Sequence, residues 1–167
     1  DAYNHYEQTY KLLNRTLEIS SNELNDAKGK LNVTLAELNE INHDLLSSIR
    51  YAKLIQEAIL PSEGAIKKLL PESFLFYRPR DIVSGDFYWL EQSEGKILIA
   101  AVDCTGHGVP GAFMSIIGNN QLNAAVKEDK LTTPSFILDR LSQGVSDTLS
   151  QTSDEEAGIK DGMDIAL

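Results

Sequence analysis

The chain has 167 residues, 42% of them hydrophobic and 24% charged, with a formal net charge of −10. That composition supports a buried core and excludes wholesale disorder, and so acidic a chain is ill suited to phosphate backbones or an anionic membrane, so neither nucleic acid nor direct membrane contact is expected. The single cysteine, Cys104, rules out an intrachain disulfide and a four-cysteine zinc site, and no stretch approaches the roughly 20 apolar residues of a membrane span.

A reducing, cytoplasmic compartment fits the cysteine usage. No signal pattern opens the chain, and upstream segments leave room for a membrane tether in the parent protein. Residues 1–60 carry nine acids and six bases with one glycine, Gly29, and no proline; ten glycines and all five prolines lie from Pro61 onward. The shift places a boundary near residue 60. It divides the chain into a helix over 1–60, a linker with a short helix over 61–72, and a globular portion over 73–167.

In the first sixty residues a heptad starts at Tyr3. Its a positions are Tyr3, Tyr10, Leu17, Leu24, Leu31, Leu38, Leu45, Ala52 and Ile59, all apolar or aromatic. Its d positions are Tyr6, Leu13, Ser20, Ala27, Thr34, Ile41, Ser48 and Ile55, a mixed set. An unbroken 3,4 phase predicts a long helix supercoiled with a partner, spanning about 85 Å at 1.5 Å per residue. The expected self-association interface is Tyr10, Leu13, Leu17, Leu24, Leu31, Leu38, Ile41, Leu45, Ala52, Ile55 and Ile59. The polar d layers make a seam of marginal stability, suited either to a register switch or to a passive stalk; apolar Leu12, Ile19, Val33, Leu46 and Ile49 beside it leave a higher oligomer open.

Asn42-His43-Asp44-Leu45 is similar to the phosphoacceptor box of histidine-kinase dimerisation helices, but the residues that usually follow are replaced by Leu46-Ser47-Ser48. A solvated histidine is the plain reading of His43.

Pro61 stops the helix, Ser62 can cap a short helix over Gly64–Leu70, and Pro71 closes it. Residues 74–79 read as a strand. Residues 86–92 and 96–103 read as a hairpin joined at Ser93-Glu94-Gly95. That hairpin brings Asp86 near Asp103, and two carboxylates at one end repel unless a cation or proton lies between them. Hard oxygen ligands favour Mg²⁺ or Mn²⁺; two solvated aspartates are the alternative. Gly106, Gly108 and Gly111 demand unusual backbone angles or the close approach of another group. Helices are predicted over Pro110–Lys127, with Ala112, Phe113, Ile116 and Ile117 on one side, and over Thr133–Ser150, with a stripe of Phe136, Ile137, Leu141, Val145 and Leu149. A polar loop over 151–162 and a strand over Met163–Leu167 complete the reading. A cysteine-dependent phosphatase is excluded, because position 110, where its arginine would stand, is Pro110.

Together, Ile82-Val83-Ser84-Gly85-Asp86-Phe87-Tyr88-Trp89 and Asp103-Cys104-Thr105-Gly106-His107-Gly108-Val109-Pro110-Gly111 resemble the SpoIIE-type branch of the metal-dependent (PPM) serine/threonine phosphatases. Ser48–Pro61 looks like the helix preceding that domain, and Asp161–Leu167 like one of its strands. The resemblance covers residues 48–167. It implies an α+β fold, a long coiled-coil helix followed by the first half of an α/β/β/α sandwich of two stacked antiparallel sheets. It implies two Mn²⁺ or Mg²⁺ activating a water that attacks phosphoserine or phosphothreonine. By motif, Asp86 is a metal ligand, Asp103 bridges both metals, and the Cys104 backbone carbonyl replaces the usual glycine carbonyl. Arg78 or Arg80 could bind the substrate phosphate, a surface ion pair being the plain alternative, and His107 receives no catalytic role.

The family's later aspartate ligands have no counterpart before Leu167, and neither Asp161 nor Asp164 matches them. The chain therefore reads as an internal fragment between an upstream sensor and a downstream catalytic remainder, inactive alone and with no requirement to bind metal. The parent is expected to act on a phosphorylated anti-sigma-antagonist type of protein. The alternative is a catalytically inactive dimerisation and signal-transmission module.

Overall fold

The computed structural model describes residues 2–150 and 162–167. The chain divides into two compact units, Asp1–Ser47 and Ser48–Leu167. Helix α1 (Ala2–Ile59) is uninterrupted, as a proline-free stretch with a continuous heptad dictates. In the first unit its a and d side chains are all exposed. Such a stripe is what a partner helix would cover.

In the second unit the last turns of α1 have two distinct faces. Ile49, Ala52 and Ile59 are half-buried and Gln56 is buried, whereas Tyr51, Leu54 and Ile55 remain exposed. Helix α2 (Glu63–Leu69) begins one residue before the predicted Gly64 and is capped as predicted, the Ser62 hydroxyl accepting from the Ala65 N–H at 3.2 Å.

Strands β1 (Phe87–Ser93) and β2 (Lys96–Cys104) form the expected hairpin, Phe87 opposite Val102 and Ser93 opposite Lys96. Its two-residue turn has φ of 49° at Glu94 and 77° at Gly95, the positive-φ pair that matches the twist of a tight hairpin. Strand β3 (Met163–Ala166) adds antiparallel to β2, giving the order β1-β2-β3. The expected loop at 151–162 and the family residue Asp161 fall, up to residue 161, outside the described residues.

Helix α3 (Gly108–Asn123) continues through a π-helical turn (Ala124–Glu128), and α4 (Pro134–Ser150) follows with proline in its first turn. Phe87, Trp89, Leu98, Ala100 and Val102 project from one sheet face onto Met114, Leu122, Val126, Ile137 and Leu141. Alternate burial along β2 shows that, among the described residues, only this face is covered.

Two expectations are corrected. Residues 74–79 form no strand: Phe74 and Phe76 are 89% and 81% exposed, and among the described residues no strand pairs with them. An apolar, aromatic run makes a strand only where a ladder partner exists. The described residues hold one three-stranded sheet, which is compatible with the expected truncated half of a two-sheet sandwich. The buried face of α3 also differs from the predicted stripe, whereas α4 buries Ile137, Leu141 and Val145 and packs Leu149 as predicted, departing only at Phe136. Phe113 and Phe136 are exposed, while Met114, Ser115, Gly118, Asn119 and Leu122 line the inner side of α3. The polar and small members of that side hid its phase.

Candidate functional site

The register that pairs Phe87 with Val102 makes Asp86 and Asp103 the next opposed pair, at the end of the hairpin away from its turn. Both are exposed, and opposed residues share a sheet face. The Asp86 carboxyl is held above its ordinary value, first by partial loss of solvent, then by hydrogen bonding to and the charge of Asp103. The excess negative charge is the condition a bound cation relieves. On the next strand Asp164 lies opposite Asp103, so three aspartates run across adjacent chain segments. Sequence reading left Asp164 aside because its motif matches no family ligand; only the β2–β3 register places it here. Among the described residues no group of three or more His, Cys, Asp or Glu side chains converges into a complete metal site.

Cys104 ends β2 with its side chain in the core. Burial, reinforced by the charges of Asp86 and Asp103, pushes its thiol up to about 12. Its carbonyl faces Gly85: a Cβ built at Gly85 would stand 3.1 Å from the Cys104 oxygen and 2.7 Å from the Gly106 oxygen. A Cβ at Gly111 would lie 2.9 Å from the Gly85 Cα. Three backbones thus cross where only glycine fits, fixing the loop before Asp86 against the turn after Asp103. Gly106 and Gly108 supply positive φ angles of 90° and 63° in that turn.

His107, at the N-cap position of α3, places Nδ1 2.9 Å from Asp81 Oδ2. This pair, Arg80, Asp86 and Asp103 line one small cavity of about 230 Å³. A larger open cleft of about 920 Å³ runs from Asp86, Asp103 and Asp164 past Arg78 to Phe74 and Phe76. Each expected phosphate-binding arginine therefore borders a cavity containing Asp86 and Asp103. Neither forms an ion pair among the described residues. The Tyr77 hydroxyl donates to the Asp86 carbonyl at 3.0 Å, bracing the same loop.

Sequence reading also missed Gln56. Its amide nitrogen donates to the Ser84 carbonyl at 2.6 Å and the Ser115 hydroxyl at 2.7 Å, and its oxygen accepts from the Ser84 N–H at 3.0 Å. Ser84 Oγ in turn accepts from the Asp86 N–H at 3.1 Å. One buried side chain of α1 thus ties the aspartate loop to α3. The Asn119 amide adds a weaker tie, donating to the Ile59 carbonyl at 3.4 Å. His43 is exposed and lies 3.5 Å from Asp44, consistent with a solvated helix face.

No protein-family model and no curated protein matches the chain. Among solved structures it is similar to the SiaA-PP2C domain of Pseudomonas aeruginosa, with 34% sequence identity and a TM-score of 0.62. The match covers 74% of this chain and 48% of that one, so the chain spans about half the length of the structure it matches. PP2C domains are PPM phosphatase domains, and the likeness supports a PPM-type fold here. No helix among the described residues is long and apolar enough to cross a membrane.

Proposed function

We propose that the Ser48–Leu167 unit is the N-terminal portion of a SpoIIE-type, metal-dependent phosphatase domain. The parent enzyme removes phosphate from serine or threonine of a signalling protein of the anti-sigma-antagonist kind. The observation that carries the reading is the opposition of Asp86 and Asp103 beside a glycine crossing, in a chain 34% identical to a PP2C domain.

The donor set is all hard oxygen: the Asp86 and Asp103 carboxylates and the Cys104 carbonyl, which suit Mg²⁺ or Mn²⁺. When bound, the metals lower the pKa of a water and neutralise charge on the phosphoryl oxygens. This chain's own share is to hold the two carboxylates rigid through the Gly85–Gly106–Gly111 crossing. Arg78 or Arg80 presents a cation beside them for the phosphate. The exposed sheet face, with Ile97 and Ile99 pointing outward, is the surface a second sheet of the sandwich would cover. The coiled coil of α1 would bring two chains together and relay an upstream signal through Gln56.

A second reading, an inactive dimerisation and signal-transmission module, is favoured by the lack of a third converging ligand among the described residues. Mn²⁺-dependent phosphate release from a phosphoserine protein decides between them. It is measured on this chain and on its full-length parent, each beside Asp103→Asn. Activity in the parent that is lost on substitution supports the phosphatase; an inactive parent supports the module.

A further inference from the structure

We propose that α1 pairs with a second copy of this chain in one orientation and register, parallel and unstaggered, as a two-stranded coiled coil. This rests on the self-association reading and adds what that reading leaves open. From Tyr3 to Leu45 every a residue is exposed and apolar, on one helix with no break.

The first argument is the matching of layers. In a parallel pair, a residues meet a residues and d residues meet d residues; in an antiparallel pair, a meets d. Ser20 and Thr34 are polar d residues, and the whole a series is apolar. Every antiparallel register therefore sets each hydroxyl against an apolar side chain. Only a parallel pair without stagger gives Ser20, Ala27 and Thr34 each its own kind across the seam.

The second argument is charge. Position g of one helix faces position e of the partner five residues further on. Unstaggered, Glu23 meets the partner's Lys28, and by symmetry the pair occurs twice. A one-heptad stagger removes both pairs and sets Lys30 against the partner's Lys28, like charge against like.

The third argument comes from the second unit. There Ala52 and Ile59, both a residues, are half-buried on the same side as buried Gln56. The seam is thus fully available only up to about Leu45. A parallel pair sends both Ser48–Leu167 units out at the same end.

The test places single spin labels on the full chain at Gln8→Cys or Ala36→Cys, both outer-face f positions of the heptad, with Cys104 buried and out of reach of the reagent. A parallel pair gives similar label–label distances at both positions. Any antiparallel register separates at least one label pair by about 40 Å along the axis. Lys28→Glu should weaken self-association roughly tenfold, and Glu23→Lys with Lys28→Glu should restore it. Unequal distances overturn the orientation alone, and failure of the charge swap to rescue overturns the register. A monomer by sedimentation overturns the self-association reading and this one with it, and a trimer overturns the two-stranded pairing.

Discussion

Gln56 offers a test of whether α1 and the aspartate loop are one mechanical unit. Its side chain is 4% exposed and holds both backbone groups of Ser84, itself 6% exposed, at 2.6 and 3.0 Å. Gln56→Leu keeps approximate volume and removes all three hydrogen bonds. The Ser84 N–H and C=O are then left buried without partners, each costing about 1–3 kcal/mol. The expected loss is about 2–5 kcal/mol, a large share of a typical stability of about 5–15 kcal/mol. Trp89, the sole tryptophan and 2% exposed in the core of the same unit, reports unfolding in urea by its fluorescence. Because Ser84 Oγ holds the Asp86 N–H, Mn²⁺ affinity measured below the unfolding range should fall as well. A loss under about 1 kcal/mol would show that water or a relaxed loop replaces the amide, and the claimed tie would be refuted.

Four other outcomes follow from the site. Asp103→Asn removes the charge that helps raise the Asp86 carboxyl, so the metal-free protein should be stabilised slightly, by less than about 1 kcal/mol given the exposure of both groups; calorimetry should also show Mn²⁺ binding weakened. Gly85→Ala drives a methyl against the Gly106 and Cys104 oxygens, and should cost about 2 kcal/mol or more in thermal unfolding; a neutral effect would mean that the crossing is loose. The Cys104 thiol, pushed up to about 12 from 9.0, should resist iodoacetamide at pH 8 until the protein unfolds. Its raised pKa contributes stability that is full below pH 9.0 and is lost as pH rises towards about 12, so Cys104→Ala should flatten the alkaline stability profile over that window.

The legible parts of the sequence were those whose signal is local. An unbroken heptad specified α1, a tight turn with matched flanking runs specified the β1–β2 hairpin, and three glycines in six residues announced the backbone crossing. The opposition of Asp86 and Asp103 followed from counting along that hairpin. What stayed hidden depends on partners remote in sequence. Asp164 enters the row only through the β2–β3 register, and Asp81 meets His107 across 26 residues. Gln56 sits at a heptad e position, where a glutamine suggests solvent; it is buried because α3 and the Ser84 loop pack over it. The segment 74–79 failed in the opposite direction. Its aromatic run suits a strand, but among the described residues Phe74 and Phe76 find no ladder to join and stand exposed beside the uncovered sheet face.

That uncovered face bears directly on the metal question. Ile97, Ile99 and the row Asp86, Asp103 and Asp164 share it, so apolar surface and carboxylates lie side by side on one side of the sheet. A second layer packed there would bury the isoleucines and lower the dielectric around the aspartates. It would raise the penalty for leaving two opposed carboxylates without a cation. Metal affinity should therefore be weak wherever the face is solvated and strong wherever it is covered. Mn²⁺ titration of this chain beside its full-length parent reads that difference directly. Equal affinity in the two would mean that the aspartates bind metal without help from the layer above, and the link between covering the sheet and completing the site would fail.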